Sequence, residues 1–471
     1  MIMPGLILPA VFLRDVIMAF GVMLIFVGVV AVFGRSWLIT SWRYGRNVPW
    51  LIMAWFRWPR LAAASGLGRF RPYKPGGRDR PVNWPGTKGW RLSPAGYSFV
   101  VKHKFGQSID TVRAAIPALS SGMRGQLRVG VVHGKPHQSR LTVLRRDPFS
   151  HVPAPVALSP TRLRLGVVED GRDFLIDFQT NPHLLIAGAT GSGKSGTQTA
   201  MLAAWAPTDV AVCLIDLKHG VSAEPYRPRA SVIADTQPAA VDLLDQLLDL
   251  GRARALICKQ HGVDSVYDLP DQLRPVEVFV LVDEVAELGI DTGQTDSKQL
   301  ARQGMGNLLR CVQLLRAFGI HKVISGQRFG SALGPQITNI RAQLPGRVCL
   351  RVSDDETAAM VVGDISRDAV RAALEIPQTL PGVAIVNSGP DRWQRVRLAK
   401  VTHAELAKIA AANSTHRIDW TNLLDRELHG PDGNVHRDGD GDGDGQDQVP
   451  AEAGSKITKP SNRRDSVKEA A

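Results

Sequence analysis

Cysteine is scarce and scattered in this chain of 471 residues. Cys213, Cys258, Cys311 and Cys349 form no CxxC pair, which excludes a disulfide framework and a cysteine-built metal site. Two of them sit in apolar runs, VAVCLIDL and GRVCLRV, where a thiol behaves as a small hydrophobe. The pattern fits a reducing cytoplasm. Acidic residues are nearly missing from the front of the chain: residues 35–147 hold 21 Lys or Arg against only Asp79, Asp110 and Asp147. The whole chain is +13, so the remainder is net negative. A block this basic is drawn to nucleic acid or to anionic lipid head groups. Long uncharged runs are also few. The one that stands out is VIMAFGVMLIFVGVVAVF, residues 16–33, which as a helix is about 27 Å long and just crosses a bilayer. The AxA-like pair of a cleaved signal is missing near Phe33. Arg35, Arg43, Arg46, Arg57 and Arg60 follow the run while Arg14 is offset by Asp15, so the bulk of the chain is expected on the cytoplasmic side.

What is present divides the chain. Seven of the ten tryptophans lie between Trp37 and Trp90, and up to Trp58 they alternate with arginines, a pairing suited to the head-group layer. Residues 1–60 therefore read as a membrane anchor, with 37–60 an interfacial segment. Residues 61–90, rich in Gly, Pro and Arg, read as a linker. Residues 91–153 read as a small α+β unit of βαββ order: alternation in YSFVVKHKF, a helix SIDTVRAAIPAL capped by Ser108, then QLRVGVV and SRLTVLRR. His133, His137 and His151 have no metal-ligand company. Residues 154–400 form the large domain, 401–428 a terminal helix, and 429–471 a solvated, disordered tail whose Asp-Gly repeat lacks the bidentate glutamate of a calcium loop.

The chemistry concentrates in HLLIAGATGSGKSGTQTAML, residues 183–202. Gly188 to Ser195 fits the triphosphate loop GxxxxGK[ST], and Gly191, Gly193 and Gly196 also fit the dinucleotide pattern GxGxxG. A strand before and a helix after satisfy both, and Asp216 stands about where a ribose-binding acid would. Lys194 and Ser195 decide between them. They supply a cation for the β and γ phosphates and a hydroxyl for Mg²⁺, a pair for which a dinucleotide fold has no use. VEVFVLVDEVAEL then places Asp283 and Glu284 directly after a hydrophobic strand. The expected site binds ATP through Gly188, Ala189, Thr190, Gly191, Ser192, Gly193, Lys194, Ser195 and Gly196, holds Mg²⁺ with Ser195 and Asp283, and aligns the attacking water with Glu284. Gln327, after HKVISG, is expected to sense the γ-phosphate.

With these residues the chain resembles the FtsK/SpoIIIE family of DNA-translocating ATPases, on GATGSGKS, LIDLKHG, FVLVDEVAEL, LLRAFGIHKVISGQRFG and ITNIRAQLPGRVCLRVSDDETAAMVVGD, five motifs in order over about residues 180–390. Within the family it is most like the Tra plasmid-transfer proteins of actinobacterial conjugative elements. The resemblance implies an α/β fold with a RecA-like P-loop NTPase core and parallel sheet, and a homo-oligomeric, usually hexameric ring around double-stranded DNA. It also implies an arginine donated to the neighbouring subunit's site, for which Arg316 and then Arg347 are the candidates. Asp216 and Lys218 are expected at a strand tip beside the nucleotide without a catalytic step. The alternatives are a secretion-type ATPase moving polypeptide, disfavoured because there is one phosphate loop only, and a nucleotide-switched membrane DNA-binding scaffold, disfavoured by the presence of Glu284. Other transfer proteins are possible partners.

Overall fold

A computed structural model describes residues 42–429 apart from 72–79, 133, 292, 294, 295, 331–334 and 389–391. The expected span at 16–33 and the expected tail lie outside the described residues. Among the described residues no helix is long and apolar enough to cross a membrane.

The first unit begins with helix α1, Val48–Ala64, followed by the short pair β1, Arg69–Arg71, and β2, Arg80–Val82. Next come β3, Gly86–Leu92, and β4, Gly96–Lys102, helices α2, Ile109–Ala114, and α3, Ile116–Met123, and strands β5, Gln126–Val131, and β6, Gln138–Leu144. The strands form an antiparallel sheet of order β3-β4-β6-β5. Ser108 caps α2 by accepting from the N–H groups of Asp110 and Thr111. The sequence reading differs from this in three places. The single helix expected after Ser108 is two, because Pro117 opens a new first turn where its missing N–H costs nothing. The linker expected over 61–90 instead holds the end of α1, the β1–β2 pair and most of β3. Trp90 fixes β3 to the sheet by stacking on Phe99 with ring centroids 4.0 Å apart. The segment expected at a membrane surface also has a packed side: Ala54, Trp58 and Ala62 of α1 enter the core with Tyr97, Phe99 and Leu141, and Trp58 Nε1 donates to Pro85 O at 2.7 Å.

The large unit contains β7, Val156–Ser159, β8, Arg162–Val168, β9, Asp173–Asp177, β10, His183–Ala187, α4, Lys194–Trp205, β11, Ala211–Ile215, β12, Val232–Ala234, and α5, Gln237–Gln260. It continues through β13, Val278–Val282, α6, Val285–Leu288, α7, Ser297–Leu314, β14, Ile320–Gly326, α8, Pro335–Ala342, and β15, Gly346–Leu350. It closes with α9, Asp355–Val362, α10, Arg367–Leu374, β16, Val383–Asn387, β17, Trp393–Leu398, α11, His403–Ala412, and α12, Trp420–His429. The helix expected over 401–428 is thus two helices.

Strand order is β12-β11-β13-β14-β10-β15-β16-β17-β8-β7, with β9 also on β8. The six strands from β12 to β15 are parallel; those beyond pair antiparallel. The sheet is therefore mixed, where the sequence reading expected a parallel one. Its parallel part is continuous apolar sequence because both faces are covered. Alternate residues serve opposite cores: Leu185, Cys213 and Val280 face one, with α5, α7 and α9. Leu184, Val212 and Phe279 face the other, with α4 and α11. The units touch at the β8–β9 turn, where Ala95 N donates to Asp170 O at 2.9 Å and Arg43 donates to Gly171 O at 2.9 Å. Gly171 has φ +85°, and a Cβ there would lie 2.9 Å from Ala95 N, so the contact requires glycine.

Candidate functional site

The parallel topology brings two distant segments of sequence to one end of the sheet. β10 ends at Ala187 and hands the chain to the loop Gly188–Gly193, which opens α4. β13 ends at Val282 and delivers Asp283 and Glu284. β14 lies between β10 and β13 and ends at Gly326, immediately before Gln327. Strands spaced about 4.8 Å apart put the two halves about 10 Å from each other, within reach of a lysine and a glutamate.

The loop is shaped by its backbone. Gly191 and Gly193 have φ of +73° and +106°, the left-handed region that side chains disfavour. A Cβ on Gly193 would stand 2.5 Å from Gly382 N, and Gly382 N itself donates to Ser192 O at 2.8 Å. Ala189 N donates to Arg351 O at 2.9 Å, and Arg351 Nη2 returns to Thr190 O at 3.1 Å. Gly382 and Arg351 therefore brace the loop. Neither is singled out by the sequence, although Arg351 lies within the stretch GRVCLRV, and the course of β15 and β16 beside β10 brings them to the loop.

Lys194 Nζ donates to Glu284 Oε2 at 2.7 Å, and both side chains are largely buried. Gln327 N donates to Glu284 Oε1 at 3.1 Å, while Thr190 Oγ1 donates to Gln327 Oε1 at 3.4 Å. Lys218 Nζ stands 3.6 Å from both Asp283 Oδ2 and Glu284 Oε2. The carboxylate of Asp216 is turned to its own loop, where it accepts from the N–H groups of Lys218, Ser222 and Ala223 at 3.2, 2.7 and 3.0 Å. It thereby shapes the segment that aims Lys218, in which His219 and Gly220 both have positive φ. The structure thus brings together Gly188 to Gly196, Asp283, Glu284 and Gln327, and adds Lys218. Ser195, Asp216 and Asp283 line one small cavity with Thr199 and His403.

The two arginine candidates lie elsewhere. Arg316 is exposed just before β14 begins, at the end of that strand remote from Gln327. Arg347 is engaged within its own chain. Its guanidinium is buried and committed to carbonyls, donating to Leu344 O at 2.7 Å, Arg341 O at 2.9 Å and Val361 O at 3.4 Å. It ties Arg341 at the end of α8 and Leu344 beyond it to Val361 of α9, with the exposed Asp364 carboxylate 3.9 Å away. Burial depresses its pKa, with Asp364 opposing.

Two atoms at the site are unmatched: among the described residues, the buried Ser192 Oγ and Asp283 Oδ1 have no hydrogen-bond partner. Orphaned polar atoms of this kind call for a ligand. A glycine cradle at a helix N-terminus, one lysine, a hydroxyl and two carboxylates fit a triphosphate with a hard divalent cation.

Similarity to known proteins agrees with this chemistry. The model of the FtsK/SpoIIIE family matches residues 152–275. Transfer protein TraSA of Streptomyces ambofaciens is 38% identical over 338 residues, covering 68% of this chain and 80% of that protein. A DNA translocase FtsK of Campylobacter jejuni is 25% identical over 242 residues, 49% of this chain and 24% of that one. Among solved structures, the pCW3 conjugation coupling protein TcpA, in its monomer form with ATPγS, superposes with a TM-score of 0.50 at 19% identity. That superposition covers 69% of this chain and 92% of TcpA, a likeness of fold.

Proposed function

Because the chain belongs to the FtsK/SpoIIIE family and is a P-loop ATPase, we propose that it is a membrane-anchored motor that hydrolyses ATP to translocate double-stranded DNA in conjugative plasmid transfer. The observation that carries the reading is the convergence of Lys194, Lys218, Asp283 and Glu284 within one ion-paired cluster at the mouth of the Gly188–Gly193 loop. Its similarity to a transfer protein over most of both chains supports the destination of the DNA.

The residues divide the labour. The loop N–H groups and Lys194 take up phosphate charge at the start of α4. Ser195 and Asp283 would hold Mg²⁺, which when bound would neutralise charge on the transferring phosphoryl group. Lys194 pairs with Glu284; engaging phosphate would draw Lys194 away and leave Glu284 free to orient water and accept its proton. Gln327 keeps Glu284 in place through its backbone N–H, while its side chain contacts Thr190 of the loop, and so links the base to the phosphate grip. A ring of subunits, hexameric as in the family, with Arg316 entering the neighbour's site, completes the proposal. The anchor is residues 16–33, with the ATPase unit in the cytoplasm.

The test is hydrolysis by the full chain with and without duplex DNA, and with Lys194→Ala. Duplex-stimulated turnover that disappears in the variant supports the motor. Turnover indifferent to duplex removes it.

A further inference from the structure

The helices of the small unit cover one face of the sheet β3-β4-β6-β5; on the opposite face, which no helix covers, Val100, Gln138 and Leu144 are buried among the basic side chains. Tyr97, Phe99, Val101, Leu127, Leu141 and Val143 point into the core that α1 closes. Register fixes what occupies the opposite face. Lys88 stands opposite Val100 and Val100 opposite Arg140; Arg91 stands opposite Ser98, Ser98 opposite Thr142, and Thr142 opposite Arg128. Lys102 lies one row further along, opposite Gln138. These rows contain no Asp or Glu. Lys88, Arg91, Lys102 and Arg128 are exposed and Arg140 is half-buried.

The hairpin joining β16 to β17 extends the patch with exposed Arg392. Burial and then the charges of Arg91 and Arg392 depress the pKa of Arg140. Arg128, at one edge, pairs with Glu169 at 3.0 Å. The others make no ion pair among the described residues. Like charges that outnumber the nearby acid, Glu169, repel one another, and an outside polyanion relieves that repulsion.

We propose that this helix-free face, with Arg392 beside it, is a docking surface for the phosphate backbone of duplex DNA, outside the ATPase site. Geometry separates duplex from lipid. The outward side of α1 carries exposed Ile52, Trp55 and Phe56, and α1 packs on the other face of the sheet. A bilayer meeting α1 therefore cannot also meet the basic face. Four strands span about 14 Å, and a duplex presents one charge per about 1.7 Å of axis, so several phosphates meet the patch together. The contact is electrostatic and indifferent to base sequence. Arg392 also lies on the hairpin whose first strand, β16, follows Gly382, the residue that braces the phosphate loop.

The inference rests on the DNA-motor reading, and the experiment separates the two. Full-length protein in detergent micelles is titrated against a fluorescent duplex of about 30 base pairs by anisotropy over a range of KCl. For the triple variant Lys88→Gln/Arg91→Gln/Arg392→Gln, affinity at about 0.15 M salt falls at least about tenfold. The slope of log K against log salt becomes shallower by about two to three, at about 0.9 per lost phosphate. Arg91→Gln alone, at an exposed position, lowers the slope by about one. Unchanged affinity and slope in both variants, with wild type binding duplex and stimulated by it, overturn this surface and leave the motor standing. A wild type that neither binds duplex nor responds to it overturns both. Variants that keep duplex binding but lose a salt-sensitive preference for phosphatidylserine over phosphatidylcholine nanodiscs assign the face to lipid and overturn the proposal.

Discussion

Lys194 and Glu284, 90 residues apart in sequence, are joined by a 2.7 Å ion pair over the tip of β14. In the proposed mechanism the pair would couple the phosphate grip to the general base, because neither can act while it holds the other. Glu284→Gln removes the base and frees the lysine. Phosphate release is expected to fall by about 10²–10⁴-fold, the usual range for a lost general base, while affinity for a fluorescent ATP analogue is retained or increased. Near-normal turnover in Glu284→Gln would remove it from the chemistry.

Lys218 Nζ, 3.6 Å from both carboxylates, orients the acids and is itself partly exposed. Lys218→Ala is expected to lower kcat by no more than about tenfold, since such pairs contribute up to about 1 kcal/mol, with KM for ATP changed less. A loss as deep as that of Glu284→Gln would mean that Lys218 itself touches the reacting phosphate.

Arg316 and Arg347 should separate by assay. Arg347→Ala strips donors from three carbonyls and is expected to cost about 2–4 kcal/mol of folding stability, seen as a lower midpoint in urea. Arg316→Ala, at an exposed position, is expected to leave the midpoint unchanged. If it serves the neighbouring subunit, turnover in the assembled state drops by about 10³-fold or more. An unfolding midpoint unmoved by Arg347→Ala would contradict its reading as a staple.

Lys322 is fully buried in β14 and donates to the carbonyls of Cys311 and Ile320. Burial pulls its pKa from 10.5 to about 8, against a small opposing effect of Cys311 and Cys213. Between about pH 8 and 10.5 the unfolded chain binds the proton that the folded chain has lost, so this group makes stability rise with pH across that window. Below the lower of these values both states are charged and the full penalty of the buried cation remains. Lys322→Met is expected to stabilise the protein at neutral pH and to flatten the dependence in the alkaline window, measured by denaturant unfolding at several pH values. A destabilised Lys322→Met would show that its two hydrogen bonds outweigh desolvation.

Arg254 is wholly buried and held by Glu427 of α12 at 2.7 and 2.9 Å. Removing one partner leaves a buried charge, so Glu427→Ala is expected to cost about 3–5 kcal/mol, and a chain ending before Trp420 at least as much. Equal urea midpoints for wild type and Glu427→Ala would show that α12 is dispensable to the fold.

Sequence alone determined the local chemistry. Gly188 to Ser195 and the Asp283–Glu284 pair were legible because phosphate binding needs particular residues at fixed spacing next to a strand end, and because buried parallel strands read as apolar runs. Tertiary structure decided what depends on neighbours distant in sequence. It placed β14 between the two halves, gave Gly382 and Arg351 the bracing of the loop, turned Arg347 inward, and divided α1 between a packed side and an exposed one. None of these leaves a pattern in sequence, since an arginine with three carbonyl partners and an arginine in water have the same neighbours along the chain. The basic face of the small sheet belongs to both levels: composition supplied the charge, and only strand register put the cations on one side without an acid among them.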